Sequence, residues 1–371
     1  MSPNCNRINW NDFSDSHIIK SISTNTKARR IGYLKLFAIF FRSKIQISES
    51  IFAKDFEIFC DPYKKQLSNY DNAKGVIDIT KNGISAKPYL ELAKKLSFFN
   101  IINNKYSPGK SFSVFIKCNE LWSTGNIFDI DKLDRMFFFR EFFLNDFFFL
   151  RVILEKIFED NLSSYNSLKS TFHIDLIRKI EDLNDQLGQR ELIKKNQKIK
   201  KRIESWTKPQ VYLEHILMPR LNWLFDLRLI ELQPNLEIKK KSVGKAFLDQ
   251  IKKWDTNLGY TTANSSEIFR YRFFNTYNDI YSLNKNSIEN INSHRDLIIN
   301  MINECFEHFK TFAPNRVTLS QTLNYLNFYL FWKYNLIIEE VELNKYIKNE
   351  LKEVYLYRYL PNYNEGYLQK R

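Results

Sequence analysis

Asp226 followed by Glu237–Ile238–Lys239 brings together the residue types that cut a phosphodiester with Mg²⁺. Two carboxylates would hold the metal, and the lysine would stand beside the attacking water. The pattern is short, and Glu-x-Lys recurs easily in a chain with 26% charged residues. The same stretch also reads as a surface strand, so a Mg-dependent nuclease stands as a second alternative only. Cys305 and His308 would share a helix face, but structural zinc needs four ligands and no second pair matches them. The histidines His17, His173, His215, His294 and His308 form neither HxxxH nor HExxH. Ser107–Pro108–Gly109–Lys110 is a basic turn without the rest of a phosphate loop. No GxSxG elbow and no cysteine in a nucleophile motif is present. The expectation is a non-enzymatic chain with no metal site and no cofactor.

What stands out chemically is positive charge. Lys and Arg number 56 against 42 Asp and Glu, a formal net charge of +14. Such a balance favours polyanionic partners, DNA first among them. The densest run is Lys194, Lys195, Lys198, Lys200, Lys201 and Arg202. Helical spacing puts Lys194, Lys198, Lys201 and Arg202 close to one face. A second group is Lys87, Lys94 and Lys95, followed by Lys105 and Lys110 around the next turn. A third is Lys208, Arg220, Asn222 and Arg228, followed by Lys239, Lys240 and Lys241. Lys and Arg neutralise phosphates, and Asn can read adenine. Lys27, Arg29 and Arg30 form a further small basic knot.

The elements that must carry these residues follow from hydrophobic spacing. A length of 371 residues fits two or three domains, and 44% hydrophobic residues suffice for sizeable cores. Residues 1–30 are polar and read as a loosely packed arm. Residues 31–130 begin with helical spacing to about residue 59. A helix with Leu90, Ala93 and Leu96 on one face comes next, then a strand over 98–102 and a turn NNKYSPGK. SFSVFIKC then alternates with period two, which predicts a return strand. Residues 131–205 read as a helical connector. Its apolar run MFFFREFFLNDFFFLRVIL is broken by Arg140, Glu141, Asp146 and Arg151, so it predicts a buried helix rather than a membrane span. Residues 206–260 repeat the grammar: a helix ending near Asp226, a strand LRLIEL, a turn QPN, a return strand LEIKKKSV, and a helix from Gly244. Residues 261–371 predict helices, continuous through 341–349, and a closing hairpin in VYLYRYLPNYNEGYL, a possible third copy. Cys5, Cys60, Cys118 and Cys305 are scattered, which fits a reducing compartment, and the opening residues lack a signal-peptide pattern. A cytoplasmic protein with no membrane partner is expected.

The order of elements over residues 212–251 resembles a winged helix. In that family a helix runs into a strand of the type DLGLIE, followed by a wing and a strand of the type YRLTEKG. Here Arg228 stands where glycine is usual, and Lys241–Ser242–Val243 stands for LTEK. The resemblance implies a mainly α fold with small β-wings, its winged-helix-like modules joined by a helical connector. It also implies a helix in the major groove and a wing on the adjacent backbone. Basic proteins with several winged helices occur as accessory subunits in anti-phage defence and as plasmid replication initiators. The implied function is a non-enzymatic DNA-binding component of a bacterial defence or mobile-element system. The same modules also serve as adaptors, here for an SMC-like ATPase, a helicase or a nuclease subunit.

Overall fold

A computed structural model describes residues 13–67, 75–120, 126–309, 313 and 315–371. Helices dominate and the sheets are small. In chain order the elements are α1 (Ile31–Arg42), β1 (Ile47–Ser48), α2 (Glu49–Cys60), α3 (Lys64–Leu67), α4 (Lys87–Lys95), β2 (Phe99–Ile102), β3 (Lys105–Pro108) and α5 (Lys110–Glu120). Then come α6 (Lys132–Phe158), α7 (Tyr165–Asp185), α8 (Arg190–Glu204), α9 (Pro209–Asp226), β4 (Ile230–Leu232), β5 (Ile238–Lys240), α10 (Ser242–Leu258) and α11 (Ser266–Ile280). The last stretch holds β6 (Asn286–Ser287), α12 (Arg295–His308), β7 (Arg316–Thr318), α13 (Leu319–Lys333), β8 (Leu336–Ile337), α14 (Glu340–Glu350), β9 (Tyr355–Leu360) and β10 (Glu365–Lys370). Two units interleave along the sequence. One is drawn from Met1–Leu34, Ala53–Leu96 and Asn126–Phe269, the other from Lys35–Phe52, Ser97–Gly125 and Arg270–Arg371.

The first unit is built around α6, whose side chains are buried on nearly every face. A helix buried all round has no solvent side to present, so its charges pair inside, as Arg151 does with Glu155 at 2.7 Å. Its rings lock it in place: Phe142 stacks on Trp223 at 4.4 Å, and Phe139 and Phe143 each lie 4.8 Å from Phe247. Asp131 caps its start by accepting the Asp134 N–H at 2.8 Å. Asp146 interrupts it with non-helical backbone at φ −142° and ψ 25°. A Ser164–Ser167 capping box opens α7. Gly244 is required where α10 starts, because a Cβ there would meet the Leu229 carbonyl at 2.2 Å. Residues expected as a loose arm are instead packed from Phe13 onward, with Phe13, Ile19, Ile22 and Ala28 all buried. Ser242 and Val243, expected on the return strand, are the first residues of α10.

One buried carboxylate in this unit sets the start of α4. Glu57 accepts the backbone N–H groups of Thr80 at 2.6 Å, Ser85 at 2.7 Å and Ala86 at 3.1 Å, and also the Thr80 hydroxyl. Ala86 is the N-cap of α4, so an anion sits where the helix leaves donors unpaired. Glu57→Gln keeps the shape but removes the charge behind these bonds. It is expected to cost about 1–2 kcal/mol in urea unfolding; an unchanged midpoint would show that the carboxylate is not the cap.

The second unit holds two three-stranded sheets, ordered β1-β3-β2 and β7-β10-β9, and the parallel pair β6-β8. Phe37, Phe52 and Phe99 form its aromatic centre, with Phe99 5.1 Å from Phe37 and 5.3 Å from Phe52. The expected return strand SFSVFIKC is the helix α5. The hairpin closes earlier than expected, because Asn103 and Asn104 both hold positive φ, at 51° and 57°. Two such residues make a tight two-residue turn, so Lys105–Pro108 is already the partner strand. Gly109 then ends the hairpin: its N–H donates to the Phe98 carbonyl at 2.7 Å, and a Cβ would meet the Ser97 carbonyl at 2.2 Å. Phe112, Phe115 and Ile116 are buried at helical spacing, and Gln321 of α13 donates to Ser113 at 2.8 Å. Residues 341–349 form their own helix, separated from α13 by β8. The closing hairpin forms as expected, Tyr355–Leu360 pairing with Glu365–Lys370. No helix of the described residues is long and apolar enough to cross a membrane.

Candidate nucleic-acid interface

A cleft of about 420 Å³ opens in the first unit. One wall is the segment Ser23, Thr24, Asn25 and Lys27, and the other is the face of α4 that carries Lys87, Glu91 and Lys95. Those three α4 residues are four apart, so helical geometry aligns them. Leu92 and Trp223 line it as well. Three lysines, Lys27, Lys87 and Lys95, thus line the space with one acidic residue, and Glu91 is already engaged by Lys94 at 3.0 Å. Lys95 donates to the Ser23 carbonyl at 2.9 Å and to the Ser23 hydroxyl. Partial burial lowers the Lys95 ammonium from its ordinary value; Glu91 opposes this and Arg202 of α8 adds to it. Arg202 is therefore within electrostatic reach of the cleft.

The 22–31 segment is held by a stripe on α9. Arg220, Trp223 and Asp226 lie three apart along that helix. Arg220 donates to the Ile22 carbonyl at 2.9 Å and to the Thr24 hydroxyl at 3.1 Å. Trp223 donates from Nε1 to the Ala28 carbonyl at 3.1 Å. Asp226 accepts the Ile31 N–H at 2.9 Å and pairs with Arg30 at 3.1 Å. The loop that lines the cleft is thus fixed from behind by buried polar groups.

Two of the expected contact residues are corrected by this arrangement. Arg220 is 1% exposed and bonded to Asp146 of α6 through Nε at 2.6 Å and Nη2 at 2.8 Å. Asn222 is also 1% exposed, and its amide donates to the Met218 carbonyl at 2.8 Å. Neither can reach a phosphate or a base. Every residue of α9 from Leu217 to Leu224 is buried, so that half of the helix has no face for a groove. Asp226 belongs to Arg30, whereas Glu237 is exposed. Among the described residues no group of three His, Cys, Asp or Glu is placed to hold a metal ion.

The remaining cations lie at the surface. Lys198, Lys201 and Arg202 are exposed on α8, whose opposite face buries Leu192, Asn196 and Ile203. Lys194 is exposed beside Glu191 at 2.7 Å, and Lys200 bridges Glu181 and Glu204. Lys208 is exposed at the start of α9 and Arg228 just after its end. Lys239 and Lys240 are exposed on β5, with Lys240 bonded to Asn161, and Lys241 is half-buried as the N-cap of α10. In the second unit Lys105 is exposed on β3, and Lys110 pairs with Glu365 at 2.5 Å. Comparison of the chain with known protein families, with characterised proteins and with solved structures finds no match.

Sequence reasoning placed Lys87 and Lys95 among the contacts but left Lys27 outside them. The signal was the basic knot Lys27, Arg29 and Arg30. Its members part company in the fold: Lys27 faces the cleft, while Arg29 and Arg30 are buried.

Proposed function

We propose that the chain is a non-enzymatic nucleic-acid-binding component, of the kind a bacterial defence or mobile-element system uses. The observation that carries this is the convergence of Lys27, Lys87 and Lys95 on one cleft, with Arg202 of the exposed α8 face in electrostatic reach. Phosphate oxygens are the natural complement to such a cluster, since each neutralised phosphate releases a counterion. The mode of contact is backbone tracking along the cleft and α8, because the buried half of α9 cannot enter a groove.

The winged-helix reading has support over α9, β4, β5 and α10. Arg228, which stands at the usual glycine position, holds φ 60°, the left-handed conformation that glycine takes without cost. Lys239 and Lys240 then lie on the strand after the turn, where a wing would touch a backbone.

The reading is tested by titrating the full chain against labelled single-stranded and duplex DNA and RNA at about 50 and 200 mM salt. The affinity is expected to fall steeply with salt, by at least about tenfold. Absence of binding to all of these strands at the lower salt would overturn it.

A further inference from the structure

Between α8 and α9 the chain stacks two aromatic rings at the surface. Trp206 and Tyr212 lie with centroids 5.4 Å apart and planes only 15° from parallel. Trp206 also meets the ring of His173 on α7 at 5.3 Å, and His173 is fixed by a 3.0 Å hydrogen bond between Nε2 and the Ile203 carbonyl. The stack is therefore anchored at one end in the helix packing. At the other end Tyr212 leaves 44% of its surface open to solvent.

Cations flank this open ring in sequence. Lys201 and Arg202 close the last turn of α8, and Lys208 opens α9; all three are exposed. Glu204 shares Lys200 with Glu181, each at 2.9 Å, so its charge is offset only in part. Glu214 remains as the acidic residue on the first turns of α9. Packing of α7 against α8 accounts for the contact between His173 and Trp206. It does not require Tyr212 to be an exposed ring laid parallel to Trp206.

We propose that Trp206 and Tyr212 form a base-stacking platform for single-stranded nucleic acid, with Lys201, Arg202 and Lys208 neutralising the flanking phosphates. The proposal rests on the nucleic-acid reading above and narrows its substrate class. Aromatic rings beside a basic track bind unpaired strands, because each base offers a free π-face and each phosphate a charge. A duplex keeps its bases stacked inside and gives the ring nothing to hold.

The test compares three ligands of roughly 20 nucleotides, a length ample for one site: an oligo-dT strand, a strand of equal charge without bases, and a duplex. Binding to the intact chain is followed by fluorescence anisotropy. The dT strand is expected to bind more tightly than the base-free strand. Tyr212→Ala is expected to weaken dT binding about tenfold and leave the base-free strand unchanged, while Tyr212→Phe keeps the wild-type affinity. Equal binding of the dT and base-free strands by the wild type overturns the platform, and that comparison stands even where Tyr212→Ala fails to fold. A neutral Tyr212→Ala on dT, with duplex binding intact, also overturns it and leaves the wider reading standing. Absence of binding to every strand overturns both, and a protein-binding role for the ring would give the same pattern.

Discussion

Arg220→Ala is expected to cost the chain about 3–5 kcal/mol in urea unfolding near neutral pH. The guanidinium is filled on every side. It gives Nε and Nη2 to Asp146, Nη1 to the Thr24 hydroxyl and the Ile216 carbonyl, and Nη2 also to the Ile22 carbonyl. Asp146 is wholly buried, and its second role is to accept the Ile22 N–H at 2.9 Å. Burial raises the Asp146 carboxyl from its ordinary value even with Arg220 and the Ile22 N–H opposing it. Deleting the arginine leaves that carboxylate without a counter-ion and raises it further. A carboxyl raised in the folded state is tolerated when protonated and penalised as pH rises through its folded value. The deficit of Arg220→Ala is therefore expected to be larger at pH 8 than at pH 5, and Asp146→Asn in the same background to recover part of it. Unchanged stability with weaker nucleic-acid binding would return Arg220 to the role its charge suggested.

That residue also shows what the sequence could and could not convey. Arginine on an expected helix beside other cations reads as a surface contact. Its partner Asp146 lies 74 residues away in an apolar run, where it looks like an interruption rather than half of an ion pair. Local grammar was legible wherever one period dominated. The phenylalanine-rich run of α6 announced a buried helix, and residues 212–251 announced a helix, two short strands and a second helix. It failed at SFSVFIKC, where Phe112, Val114 and Ile116 fit the strand period and Phe112, Phe115 and Ile116 the helix period. The deciding information was the positive φ of Asn103 and Asn104, which closed the hairpin early and left the following residues free to coil. The cleft itself was half legible. Lys87 and Lys95 stand out by charge, but their meeting with Lys27 depends on the tether of residues 22–31 to α9, a long-range arrangement with no local signature. The Trp206 and Tyr212 stack was equally hidden, since parallel rings across a helix junction leave no periodic trace.

Replacing Lys27, Lys87 and Lys95 together by glutamine separates the cleft from the rest of the basic surface. Each phosphate neutralised on a single strand contributes about 0.7 to the slope of log affinity against log salt. Three lost contacts flatten the slope by about 2. Between about 50 and 200 mM salt the wild-type affinity then falls roughly 20-fold further than that of the triple variant. At the low-salt end the variant binds more weakly by one to two orders of magnitude, and the two converge as salt rises. The fold should survive the change, because Lys27 and Lys87 are exposed and Lys95 gives up only its bonds to Ser23. Circular dichroism melts of the two proteins check that point. A matched triple change of Lys345, Lys348 and Lys352, exposed cations outside the cleft and the aromatic platform, provides the control for net charge. If it flattens the slope as much as the cleft variant does, binding is a diffuse property of a +14 chain and the cleft has no special part in it. A cleft-specific effect instead places the phosphates along α4, where Lys87 and Lys95 share one helix face and Glu57 fixes the start of that helix.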